Sequence, residues 1–187
     1  MLSKLSLTTL IMTFFVNIAV AEIVNFNGII LNIPNGFQVA SGGVSSQQNN
    51  VKNYLNQQTS EQLLLMHSQL SSNEVSDFLN ETKLNWPQNG EAFAVSMGKG
   101  LASATYSSNG MLCDYKGFAL NKKSNYEFSV KVTLLCSHQN NTYTAVFFAA
   151  PILTSTGIDT IRMQCAVNTN DSCKDKFLNL WNNVTIK

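Results

Sequence analysis

Residues 111–120 read MLCDYKGFAL and residues 126–137 read YEFSVKVTLLCS, with Asn121-Lys122-Lys123-Ser124-Asn125 between them. Both runs are strand-like in composition, and the polar, lysine-bearing link reads as a turn. A hairpin turning between Ser124 and Asn125 sets Cys113 directly opposite Cys136. The same register gathers Cys113, Tyr115 and Ala119 on one face with Val130, Val132, Leu134 and Cys136, and sends Asp114, Lys116 and Lys131 to the other. Pattern and cysteines thus agree on one antiparallel pairing, close enough for a disulfide.

Around this hairpin the pattern is mostly β. Residues 92–151 read as a five-stranded antiparallel meander, with strands at 93–97, 101–107, 111–120, 126–137 and 143–150. Gly98-Lys99-Gly100, Ser108-Asn109-Gly110 and Gln139-Asn140-Asn141 supply the other turns. Residues 155–167 are expected as a helix with Ile158, Ile161 and Met163 inward. A last helix, capped by Asp171 or Ser172, repeats Cys173, Phe177, Leu180, Trp181 and Val184 at helical spacing.

Upstream, Ile23-Val24-Asn25-Phe26 and Ile29-Ile30-Leu31 flank Asn27-Gly28, a strong short hairpin signal. Pro34-Asn35-Gly36 ends that unit and Phe37-Gln38-Val39 starts another extended piece. Residues 41–50 form a polar loop, and 62–70 favour a strand. A helix capped by Ser72 or Asn73 runs to about Trp86, with Val75, Phe78 and Leu79 inward, and Pro87 and Gly90 end it. The whole is one α+β domain over residues 22–187: an antiparallel sheet with helices on it, including a C-terminal helix, stapled by disulfides.

Residues 1–21 read as a secretory signal peptide. Lys4 is the only charge before the apolar run 5–20, and Ala19-Val20-Ala21 is a small-x-small cleavage site. The run is too short, and too interrupted by Asn17 and threonines, for a spanning helix. The expected location is the periplasm or the extracellular space, with no stable membrane insertion after cleavage. Four cysteines in an exported chain then imply two bridges, Cys113–Cys136 and Cys165–Cys173.

The chain has 187 residues, of which 44% are hydrophobic and only 12% charged, with a formal net charge of +1. Loss of Lys4 leaves 11 basic against 11 acidic side chains. That balance, and Arg162 as the sole arginine, argue against nucleic acid as a partner. Its 23 asparagines, with serine, threonine and glutamine, supply the polar surface. They also create four sequons, at Asn80, Asn140, Asn170 and Asn183.

Catalytic signals are sparse. His67 and His138 are the only histidines, and Asp114, Asp159 and Asp171 are the acids considered for a serine triad, but no G-x-S-x-G elbow accompanies them. Glu74, Asp77 and Glu81 share a helix face and read as a solvated stripe. Neither a phosphate-binding nor a dinucleotide motif is present, and no metal site, cofactor or catalytic residue is expected.

The pattern Phe26-x-Gly28…Leu31-x-Ile33-Pro34-x-Gly36-Phe37, the central meander and the terminal Phe177-x-x-Leu180-Trp181-x-x-Val184 helix resemble the PsbP-like superfamily, which includes Mog-type proteins. The resemblance implies an antiparallel sheet with helices packed on its faces and a role in binding protein partners without catalysis, including immunity proteins that neutralise toxins. The expected function is therefore an exported, non-catalytic protein-binding module. Its expected contact surface is the 41–58 segment or the face bearing Asp114, Lys116 and Lys131. The alternatives are a secreted hydrolase using serine with His67 or His138, and a small-ligand carrier with a cavity lined by Phe93, Tyr115 and Phe147.

Overall fold

The computed structural model describes residues 21–40, 50–85, 88–109, 111–123, 127–138, 141–165 and 170–187. Five strands come first: β1 (Glu22–Phe26), β2 (Ile29–Ile33), β3 (Phe37–Val39), β4 (Val51–Asn56) and β5 (Glu61–Gln69). Helices α1 (Ser72–Asn85) and α2 (Gln88–Asn109) follow, then β6 (Leu112–Lys122), β7 (Phe128–His138), β8 (Asn141–Thr154) and β9 (Gly157–Cys165). Helix α3 (Asn170–Asn182) and the short β10 (Thr185–Ile186) complete the order.

The main sheet has seven strands in the order β3-β4-β5-β9-β8-β7-β6, and a second sheet has the order β1-β2-β10. Every described pairing is antiparallel. On one face of the main sheet, Tyr54, Leu63, Leu65, Phe148, Ile161 and Met163 meet Phe26, Ile29 and Leu31 of the small sheet and Phe177, Leu180 and Trp181 of α3. Phe148 stacks on Phe177 at 5.5 Å between ring centroids. On the other face, Ala94 and Leu101 of α2 close over Val130, Val132, Leu134 and Phe147. This is the α+β architecture of an antiparallel sheet with packed helices, with α3 near the C-terminus.

The hairpin register is as expected from Leu112 to Tyr115: Cys113 lies opposite Cys136 and the two are bridged. Lys116 is then bulged out, so Gly117 faces Thr133 and Ala119 faces Lys131. The bulge moves Ala119 to the opposite face from the one expected and brings Phe118 and Leu120 beside Val132 and Val130. A bulge and lysines on an exposed edge strand discourage further strand pairing. The second bridge, Cys165–Cys173, ties the end of β9 to the first turns of α3.

Two elements correct the expectation. Residues 93–97 and 101–107 are not strands but parts of α2. Phe93, Ala94, Met97 and Leu101 form the stripe that faces the sheet. Gly98, expected in a turn, is where the Tyr115 ring lies against the helix, and a side chain there would strike that ring. The helix expected over 155–167 is not formed either: residues 155–165 are turn and strand, and 166–167 lie outside the described residues. β9 covers most of them and buries Gly157, Asp159, Ile161, Met163 and Cys165 at period two. Gly90 lies inside α2 rather than ending a helix, and Trp86 and Pro87 fall outside the described residues.

Helix starts also moved by a residue or two. Ser71, not Ser72 or Asn73, caps α1: the Glu74 carboxylate accepts from the Ser71 N–H and hydroxyl at 2.7 Å each, and the Glu74 N–H donates to Ser71 Oγ at 3.3 Å. This is a capping box, and these bonds hold the Glu74 carboxyl below its ordinary range. α3 starts at Asn170, which places Asp171 in its first turn rather than at its cap.

Candidate functional site

Three polar constellations stand out from the core. The first joins the two sheets. Asp159 is fully buried on β9, opposite His67 on β5. Its Oδ1 lies 2.9 Å from His67 Nδ1, and its Oδ2 accepts the Gly28 N–H at 3.3 Å. Burial raises the Asp159 carboxyl above its ordinary range, and the His67 and Gly28 contacts oppose that shift. An imidazole oriented through Nδ1 by a carboxylate is two-thirds of a hydrolase triad. Among the described residues, however, no serine hydroxyl bonds to His67. Asp114 and Asp171 lie elsewhere, on β6 and α3.

The second lies where α3 meets the small sheet. Glu61, fully buried at the start of β5, accepts from Lys176 Nζ at 2.6 Å and from the Thr59 hydroxyl at 2.9 Å. Its second oxygen, Oε1, is buried without a hydrogen-bond partner. Lys176 also lines an open pocket of 260 Å³, together with Asn32, Asn35, Asn179, Asn183 and the apolar Ile33, Pro34 and Leu180.

The third is a sheet face. On the side of the main sheet opposite the small sheet, Val51, Asn53 and Leu55 of β4 lie beside Gln62, Leu64 and Met66 of β5, and these beside Thr160, Arg162 and Gln164 of β9. All are half-buried except Leu55, which is more exposed. Burial lowers the Arg162 guanidinium from its ordinary range. The Asn53 Oδ1 is buried without a partner.

Of the two expected contact surfaces, the 41–58 segment contributes β4 to this third site, while residues 41–49 lie outside the described residues. The other is divided by the bulge at Lys116. Asp114 and Lys116 form an exposed pair at 3.6 Å, and Lys131 lies farther along, between Ala119 and Phe148. Phe93, Tyr115 and Phe147, named for a ligand cavity, instead belong to one packed cluster in which Phe93 meets Phe128 edge-on at 5.7 Å. The side chain of His138 lies outside the described residues. Sequence reading missed Glu61 and Arg162 as site residues. The only available signal for Arg162 was a lone charge in an otherwise uncharged stretch of Thr160 to Val167.

This arrangement defines a PsbP-like fold. The structure of cyanobacterial PsbP (CyanoP) from Synechocystis sp. PCC 6803 superposes with a TM-score of 0.57 at 12% identity, over 92% of this chain and 96% of that one. No family model matches the chain, and no curated protein matches it in sequence. The likeness is one of fold.

Proposed function

We propose that this chain is an exported, non-catalytic module that binds another protein, with toxin neutralisation as the most concrete form of that role. The observation that carries the reading is the β4-β5-β9 face. Val51, Leu55, Leu64 and Met66 are apolar, and among them lie Gln62, Gln164, Asn53 with its Oδ1 unpartnered, and Arg162, which forms no ion pair among the described residues. Protein-binding patches have this make-up: an apolar centre, few charges, and arginine and methionine enriched. The PsbP-like and Mog-type resemblance points the same way.

Export is supported by the two disulfides, which persist in oxidising compartments. It is also supported by β1 starting at Glu22, immediately after the small-x-small site at residues 19–21. We read residues 1–21 as a removable leader and 22–187 as the working domain. The test is affinity capture from envelope extract with the oxidised chain, followed by rebinding of the purified partner. A stoichiometric complex that re-forms from pure components is expected. Failure to recover any stoichiometric partner sinks the reading, and protection of cells from a purified toxin would establish its specific form.

A further inference from the structure

Arg162 is the only arginine of the chain, and its surroundings are ill suited to a cation. Across the sheet, Arg162 sits in the row Asn53–Leu64–Arg162–Ala149. The flanking rows on the same face are Val51–Met66–Thr160–Pro151 and Leu55–Gln62–Gln164–Phe147. Every residue in these rows except Arg162 is uncharged. Among the described residues, the guanidinium takes part in no hydrogen bond or ion pair. A partly desolvated charge without a counter-charge is unfavourable, and a leucine or methionine would fill the same place without that penalty. The buried, unpartnered Asn53 Oδ1 in the same row is a second polar atom left waiting.

A guanidinium is a planar fork of donors whose natural complement is a carboxylate, which can accept two parallel bonds. Among the described residues of this face none is a carboxylate, which leaves the fork open to a complement from outside. We propose that Arg162 is the anchor of a protein–protein contact, pairing with an aspartate or glutamate side chain on the partner's surface. Leu64 and Met66 provide the apolar contact that excludes water around the pair, and Gln62, Gln164 and Asn53 provide its polar rim. This assignment rests on the protein-binding reading above and names the chemistry of its partner.

Because Arg162 is the sole arginine, its Nε–H gives one side-chain resonance that needs no assignment among competitors. The oxidised, ¹⁵N-labelled chain is titrated with a capped peptide carrying one glutamate among leucine and alanine, and separately with its glutamine twin. The glutamate peptide is expected to move the Arg162 resonance and the amides of β4, β5 and β9 saturably, at about tenfold or more tighter affinity than the twin. Arg162→Gln should abolish that difference. Equal responses to the two peptides, or shifts confined to Lys116 and Lys131 or to Lys176, overturn the proposal.

Arg162→Leu provides a second reading that does not depend on any ligand. An anchor held at the fold's expense predicts a Tm equal to or higher than wild type. A lower Tm assigns the arginine to structure and also overturns the proposal. If a partner captured from envelope extract binds the Arg162→Gln chain as tightly as the wild type, the anchor is lost and the protein-binding reading stands. If no partner exists, that reading fails in the capture experiment, independently of the peptide titration.

Discussion

The carboxylate of Asp159 and the backbone N–H of Gly28, 131 residues apart, are joined by a 3.3 Å hydrogen bond. Through it the turn of the small sheet is fastened to the central strands of the large one, and His67 completes the carboxylate's hydrogen bonding at 2.9 Å. Since burial raises the Asp159 pKa from 3.8, the folded state holds that proton more tightly than the unfolded chain does. The stabilisation this proton confers is full below the unfolded value and is lost as pH rises through the folded one. Asp159→Asn, which does not titrate, should therefore flatten part of the fall in Tm as pH rises above the ordinary carboxylate range. Identical pH profiles for the two proteins would refute this account.

Gly28 tolerates no side chain, for a reason of space. A Cβ at that position would lie 2.5 Å from Thr154 Cβ and 2.6 Å from its Cγ2. The positive φ of the turn belongs to Asn27, at 47°. Gly28→Ala should destabilise by about 1–3 kcal/mol, the usual range for overpacking, read as a lower midpoint in urea with an unchanged slope. An unaltered midpoint would show that the two sheets separate freely at this point.

Lys176 is the partner that makes a fully buried Glu61 tolerable. Lys176→Met leaves that carboxylate with the Thr59 hydroxyl alone. The expected loss is about 1.5–3 kcal/mol, the range for a hydrogen bond to a charged group, because Lys176 itself is partly exposed. Adding Glu61→Gln to that variant should recover part of the loss. A double variant less stable than the single one would contradict the pairing.

Each disulfide should be worth about 3 kcal/mol by loop-closure entropy, with the 23-residue separation of Cys113–Cys136 slightly ahead of the 8-residue separation of Cys165–Cys173. Their local effects differ more. Removing Cys165–Cys173 as the alanine pair should speed amide exchange in α3, whose first turns it holds, while leaving the β6–β7 hairpin protected. Removing Cys113–Cys136 should do the reverse. Uniform loosening in both variants would argue against this division.

What the sequence made legible follows from where side-chain chemistry and backbone geometry agree. The β1–β2 hairpin, the Cys113–Cys136 register and the α3 stripe were readable because turn residues, alternation and spacing all favoured one answer. α2 was hidden by Gly98 and Gly100, which look like a turn; Gly98 instead marks a close approach to Tyr115. β9 was hidden by Asp159, a charge in a buried position that breaks the apolar alternation of Ile161, Met163 and Cys165. The bulge at Lys116 had one local sign, Gly117 inside the strand with φ at 155°, but a lone glycine does not fix which way a register shifts, and Ala119 was assigned to the wrong face. The site residues were harder still. Glu61 and Arg162 acquire meaning only from strands and a helix that approach from distant parts of the chain, and no local window contains that information.

The small sheet places β2 between β1 and β10, and the Lys187 N–H donates to the Gly28 carbonyl at 2.9 Å. Residues made early thus wait for residues made late before their last backbone groups are paired. During synthesis the N-terminal hairpin remains an open edge, and only the arrival of residues 185–187 closes it. The small sheet therefore reaches its final pairing only once residues 185–187 are available, so its completion is a late event that the hairpin alone cannot supply.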